Sequence, residues 1–221
     1  MNTRSKRGIC ILLALCMVFG GLTATAFAQS PQPLPFTDVP QDAWYHPAVE
    51  YVYHNNIMYG TSPTTFAPYA SMNRAMAAAT LFRLEHGRAA NAEDSRENPF
   101  YDVPENKWFA PYVSWAHSNN IVNGVGNNRF APYDPVTREQ FATMCQRYAD
   151  YKGIVYPSVW LLYDFPDHDA VSDWAKSGMN VALVLGLIQG MDDGTLNPHR
   201  NINRAEAAMV LMRFGMIEHS E

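Results

Sequence analysis

Three tryptophans, Trp44, Trp108 and Trp174, stand 64 and then 66 residues apart, and each opens the same spaced pattern. Sixteen residues after each comes a glycine, Gly60, Gly124 or Gly190. Six further on stand Phe66, Phe130 and Leu196, and two beyond those Pro68, Pro132 and Pro198. Six residues past each proline is Arg74, Arg138 or Arg204, and nine past that Arg83, Arg147 or Arg213. Upstream lie Phe36-Thr37-Asp38, Phe100-Tyr101-Asp102 and, one residue more distant from its tryptophan, Phe165-Pro166-Asp167. A period of this size marks one supersecondary unit used three times, each copy too small to bury its own apolar face.

The repeats run over residues 34–87, 99–152 and 163–217, with linkers at 88–98 and 153–162, the second of them apolar and carrying Trp160. Each repeat reads as helix, long turn, helix. Trp44, Ala48, Tyr51 and Val52 share one face of the first helix, which stops at Asn55-Asn56, as its counterpart stops at Asn119-Asn120. The second helix starts at Asn73, Thr137 or Asn203, whose side-chain oxygens suit an N-cap. Glu206 completes a capping box in repeat three and Gln140 in repeat two, whereas repeat one has Met76 there. The buried stripe of this helix is Ala77, Ala78, Leu81 and Leu84, matched by Phe141, Ala142, Cys145 and Tyr148 and by Ala207, Ala208, Leu211 and Phe214. The expected fold is mainly α, three helix-turn-helix repeats packed as a closed pseudo-threefold bundle.

Arg4, Lys6 and Arg7 precede an apolar run from Ile9 to Phe19, and Ala26-Phe27-Ala28 follows, which reads as an export signal over residues 1–28. The run is short for a membrane span, so no stable membrane insertion of the mature chain is expected. Loss of the signal removes Cys10 and Cys16, leaving Cys145 with no disulfide partner. It also removes three basic residues and no acidic one, taking the net charge from −5 to −8. Such an acidic chain is a poor general ligand for nucleic acid or anionic membranes, and any anion has to be gripped by a few placed cations.

Arg74, Arg138 and Arg204 are those cations. A helix N-terminus already carries positive partial charge, so an arginine in its first turn is unfavourably placed. Guanidinium and free backbone N–H groups together make a receptor for a carboxylate or phosphate. The competing reading pairs each arginine with an acid such as Asp38, Asp102 or Asp167. Arg83, Arg147 and Arg213, in mid-helix, read as structural ion pairs. A lone tryptophan is more often core than platform, but beside an arginine it offers a shelf for a sugar ring. Gly60, Gly124 and Gly190 are expected to supply positive-φ positions that end the first helix segment, or to let backbone approach a ligand.

Phe-x-Asp, Trp, Gly, Phe-x-Pro and an Arg-Ala-Glu-like helix start, three times over, resemble the surface-layer homology family across nearly the whole mature chain. The resemblance implies an inner three-helix bundle with grooves between adjacent repeats. It also implies non-covalent attachment to a secondary cell-wall polysaccharide, commonly pyruvylated, or to a peptidoglycan-linked polymer, at the bacterial cell surface. By the same resemblance Arg74, Arg138 and Arg204 take the acidic substituent, and Asp38, Asp102 and Asp167 bond sugar hydroxyls. Trp44, Trp108 and Trp174 line the groove, and Gly60, Gly124 and Gly190 offer backbone contacts. The family's Thr-Arg-Ala-Glu start is Asn73-Arg74-Ala75-Met76, Thr137-Arg138-Glu139-Gln140 and Asn203-Arg204-Ala205-Glu206 here. Every copy keeps the arginine; repeats one and three, through the lost capping acid and the altered Asp167 spacing, are expected to hold the more degenerate sites.

No enzyme, cofactor or metal is expected. Cys145 lies on the buried stripe, Asp192-Asp193-Gly194 lacks the alternating ligands of a calcium loop, and the histidines have no zinc-protease spacing. The alternative class is a surface structural or adaptor protein whose repeats bind other surface-layer proteins rather than glycan. On the sequence alone, Arg138→Ala is expected to weaken wall binding without unfolding the domain, the two effects being separable by a wall-binding assay and a thermal melt.

Overall fold

The computed structural model describes residues 32–87 and 98–218. The expected signal at 1–28, and the 88–98 linker apart from Asn98, lie outside the described residues. Each repeat contributes a short outer helix and a longer inner one. The outer helices are α1 (His46–His54), α3 (Ala110–Ser118) and α5 (Lys176–Val184); the inner ones are α2 (Arg74–His86), α4 (Arg138–Lys152) and α6 (Arg204–Glu218). Among the described residues there are six α-helices and no strand, and none is long and apolar enough to cross a membrane.

Local signals account for the helix limits. A proline sits in the first turn of α1 and of α3, where its missing N–H costs nothing. Asn56 and Asn120 then turn into the left-handed region at φ 59° and 60°, and Gly186 does so at 66° in repeat three. The inner helices are capped as their sequences indicate. Asn73 accepts from Met76 N–H alone; Thr137 and Gln140, and Asn203 and Glu206, form reciprocal boxes. The stripe residues of α4 and α6 are fully buried, and Cys145 sits among them, its thiol pushed up by burial.

No outer helix covers the inner helix of its own repeat. α1 packs on α6, α3 on α2 and α5 on α4, so each inner helix is covered by the repeat that follows it in a cycle. At the centre, the residues two before each arginine form a ring. Val136 N–H donates to Met72 C=O at 2.9 Å, Ile202 to Val136 at 2.9 Å, and Met72 to Ile202 at 3.0 Å. All three residues are buried, and the ring fits the closed threefold packing expected of the repeats.

The same cycle uses the helix N-termini. Arg74 and Ala75 N–H donate to Asp134 and Pro132 C=O of repeat two. Arg138 and Glu139 donate to Arg200 and Pro198 of repeat three, and Arg204 and Ala205 to Ala70 and Pro68 of repeat one. The first N–H groups of the inner helices are therefore occupied, and the receptor of free N–H groups expected from the sequence does not form. An orphan donor buried between packed repeats has to find a carbonyl, and the neighbouring turn supplies one.

The Phe-x-Asp motif shapes that turn. Asp38 accepts N–H bonds from Phe66 and Ala67 at 2.8 and 2.7 Å, Asp102 from Phe130 and Ala131 at the same distances, and Asp167 from Leu196 and Asn197 at 2.8 Å each. The second donor in each case is a residue in the left-handed region: Ala67 at φ 58°, Ala131 at 60° and Asn197 at 52°. For alanine that conformation costs about 1–2 kcal/mol, and the two charge-assisted bonds hold it. Gly60, Gly124 and Gly190 are absent from the positive-φ residues, which corrects the expectation for them. Their reason is space. A Cβ on Gly124 would lie 2.7 Å from the Phe100 ring and 2.6 Å from Arg129 C=O, and one on Gly190 2.8 Å from the Phe165 ring. The aromatic ring of each Phe-x-Asp motif rests on its glycine.

Asp102→Ala removes both acceptors from the Phe130–Ala131 turn while leaving the strained alanine in place. The expected loss is about 2–3 kcal/mol in a urea titration, with the helical circular-dichroism signal of the native state retained.

Candidate ligand grooves

The three helix-start arginines are buried, 5% exposed for Arg74 and 6% for Arg138 and Arg204. Each clamps both ends of the turn in the next repeat. Arg74 donates from Nε to Phe130 C=O at 2.7 Å and from Nη2 to Asn123 C=O at 2.6 Å. Arg138 donates likewise to Leu196 and Gln189, at 2.8 and 3.0 Å, and Arg204 to Phe66 and Tyr59, at 2.8 and 2.6 Å. The carbonyl held by each Nη2 belongs to the residue just before Gly124, Gly190 or Gly60. Arg74 and Arg204 also lie over the Phe130 and Phe66 rings, 4.7 and 4.6 Å from the centroids. Neither sequence reading of these arginines included this clamp. Their partners are backbone carbonyls, and the pairing with Asp38, Asp102 or Asp167 is not made, since those carboxylates are turned onto backbone N–H groups.

Burial lowers the affinity of all three guanidinium groups for their proton. It pushes Arg204 down to about 10, opposed only by the charge of Asp38. Arg138 differs, because Glu206 approaches its Nη1 at 3.8 Å. That carboxylate also pairs with Arg200.

Two clefts open beside the clamps. One, of about 170 Å³, is lined by Arg204 from repeat three, Tyr59, Gly60, Met76 and Arg83 from repeat one, and Trp108 from repeat two. The other, of about 510 Å³, is lined by Arg138 from repeat two, Gly190, Glu206 and Arg213 from repeat three, and Trp44 from repeat one. Both clefts thus take their clamp arginine, their glycine and their tryptophan from three different repeats. Trp44, Trp108 and Trp174 stand ahead of their outer helices and are 55%, 52% and 56% exposed, which is far from a core position. The aspartates are not in these walls. Asp102 borders a separate shallow site with Arg129, Tyr133 and Asp134 on the outer side of the turn.

The second arginine set has a different place from the one expected. Arg83 is held between the faces of Tyr59 and Tyr112, 4.9 and 5.1 Å from the centroids. Arg213 donates to Leu187 C=O at 3.1 Å, and Arg147 reaches the side-chain oxygen of Asn123 at 3.2 Å. Among the described residues none of the three has a carboxylate within ion-pair distance, and Arg83 and Arg213 line the clefts. The sequence carried one signal for this: the nine-residue offset from the first arginine never varies, which a set of casual surface ion pairs would not require.

Three helical repeats, each exposing a tryptophan and each clamped to the next by a buried arginine, form one interlocked repeat module. The chain belongs to the S-layer homology domain family, whose model matches residues 35–78, 99–142 and 164–208. It is a secreted protein of the bacterial cell wall or surface. It is 30% identical over 210 residues to an endoglucanase of Bacillus sp. (strain KSM-635), covering 93% of this chain and 22% of that one. To an S-layer protein of Bacillus licheniformis it is 25% identical over 206 residues, again 93% of this chain and 22% of the relative. To a surface-layer 125 kDa protein of Lysinibacillus sphaericus it is 28% identical over 169 residues, 75% of this chain and 14% of the relative. The chain therefore spans less than a quarter of the length of these relatives, an enzyme and two surface-layer proteins alike.

The clamp changes what removal of a helix-start arginine does. Arg138→Ala and Arg204→Ala each strip two buried carbonyls of their donor, and the expected cost is about 2–4 kcal/mol, read as a lowered urea midpoint before any ligand is added. Lysine at either position recovers less than half of that, because one ammonium cannot span both carbonyls.

Proposed function

We propose that this module attaches its chain non-covalently to the bacterial wall by binding an acidic, pyruvylated secondary cell-wall polysaccharide, and that it acts by binding rather than by catalysis. The observation that carries the reading is the Arg204–Arg83–Trp108 cleft, which combines two arginines with an exposed indole and has no carboxylate in its walls. Arg204 is largely desolvated and has no carboxylate in ion-pair contact among the described residues, so an anionic group entering the cleft supplies the counter-charge that the guanidinium lacks. Arg83 is kept planar between two tyrosine rings and offers the edge of its fork to a carboxylate. Trp108 provides a flat apolar face for the C–H surface of a sugar ring at a wet rim. A carboxylate-bearing sugar satisfies all three demands at once. The aspartates, committed to the turns, serve by shaping the loop that carries the glycine.

A second reading, recruitment of another surface protein, is favoured by one feature. Trp160, in the linker before repeat three, and Tyr163, at the first position of that repeat, stack 5.7 Å apart at 23° and are both exposed.

A pull-down with purified wall polymer tests the proposal through Arg83→Ala, which touches no clamp bond. Retention is expected to fall at least tenfold while stability changes by about 1 kcal/mol or less. Mild acid treatment that strips pyruvate from the polymer is expected to abolish retention of the wild type. Retention that survives both, or that requires intact surface proteins, supports the adaptor reading instead.

A further inference from the structure

The two clefts are built to one plan but do not have the same charge. In the larger cleft the arginines Arg138 and Arg213 are matched by two carboxylates in the walls, Glu206 and Asp192. Glu206 is only 14% exposed and lies 3.8 Å from Arg138 Nη1, directly beside the clamp. Arg200 holds the same carboxylate from outside the cleft. In the smaller cleft the position equivalent to Glu206 is Met76, which also lines the wall, and the two arginines Arg204 and Arg83 stand without an acid. In repeat two the equivalent residue is Gln140, whose side-chain oxygen accepts from Thr137 N–H at 3.2 Å.

The residue at this third helical position has two duties. It completes the capping box when it is Glu or Gln, and it sets the charge next to the clamp arginine of the preceding repeat. The first duty is served equally by Glu206 and Gln140, so the cap does not require the negative charge. The arginine clamp supplies a second, correlated difference. Arg204 and Arg74 rest on phenylalanine rings, whereas Arg138 faces Leu196 and takes Glu206 as its polar neighbour.

We propose that Met76 and Glu206 set the charge selectivity of the clefts they line, so that the Arg204–Arg83–Trp108 cleft takes the acidic sugar and the Arg138–Arg213–Trp44 cleft, with the carboxylates of Glu206 and Asp192 in its walls, disfavours it. This rests on the glycan-binding reading above. A carboxylate that approaches Arg138 in the larger cleft also approaches Glu206, 3.8 Å from Arg138 Nη1, and like charges at contact distance repel one another. The module is then asymmetric in use although it is near-symmetric in backbone. It also reverses the expectation drawn from the helix starts: the repeat-one departure, Met76, opens a site to acidic ligands, and the well-formed box of repeat three closes one.

The test uses the full chain, labelled so that the indole N–H signals of Trp108 and Trp44 report the two clefts separately by NMR. The titrant is an acidic oligosaccharide fraction released from wall polymer, run beside the same fraction after pyruvate removal. In the wild type the Trp108 signal is expected to shift at concentrations at least tenfold below any that move Trp44. Glu206→Gln, which keeps the capping box, is expected to bring the Trp44 response to within threefold of that of Trp108. Met76→Glu, which adds a capping acid and so does not threaten the helix, is expected to weaken the Trp108 response at least tenfold. Equal response of both indoles in the wild type, or a silent Trp44 in Glu206→Gln while Trp108 responds, overturns the selectivity proposal and leaves glycan binding standing. Absence of any indole response to either fraction overturns glycan binding itself, and the selectivity proposal with it.

Discussion

The structure depends on an arginine reaching across a repeat boundary to hold two carbonyls seven residues apart in the next repeat. Arg74 holds repeat two, Arg138 repeat three and Arg204 repeat one, so the set closes on itself. The central ring through Met72, Val136 and Ile202 runs in the same sense as the helix-start bonds around it, and no repeat has a free partner left over. This explains a placement that electrostatics alone disfavours. A guanidinium at the start of a helix is tolerated because its positive charge is turned outward onto carbonyl dipoles of the neighbouring turn, while the helix N–H groups are satisfied by other carbonyls of that same turn.

Much of the fold was legible from the residues. The repeat period set the number of helices, and Asn73, Thr137 and Asn203 marked the inner helix starts to the residue. Asn56 and Asn120 marked the ends of the outer helices through their positive φ. The buried stripe of the inner helices followed from apolar spacing, with Leu84 near the end of α2 the exception at half-buried, because burial there depends on which face a side chain occupies. What could not be read was the partner of each side chain across a repeat boundary. The sequence shows Arg74 and Asp102 at fixed offsets but carries no mark that the arginine spends its donors on Asn123 and Phe130 while the aspartate turns to Phe130 and Ala131 N–H. The glycines were misread for a related reason. Glycine required by a ring pressed on its Cα and glycine required by a left-handed turn look identical in a sequence.

The candidate site was legible in its parts and not in its assembly. Trp108, Gly60 and Arg204 were each marked by the repeat, yet they meet in one cleft from three different repeats. Arg83 was set aside because mid-helix arginines usually find an acid, and only the flanking rings of Tyr59 and Tyr112 show why this one does not need to. Since each cleft draws on all three repeats, a difference at one repeated position is felt in a single cleft. Repetition supplies the scaffold, and divergence at a few wall positions supplies distinct sites.

The clamp of Arg204 on Tyr59 and Phe66 joins residues 145 and 138 positions apart, and α1 rests on α6 across the same gap. Closing such a long loop is entropically costly and slow compared with forming any one helix pair. A chain emerging from its amino-terminal side therefore stays open, with the α1 face uncovered and the first turn unclamped, until the last inner helix has followed. The geometry that locks the finished module thus postpones its locking.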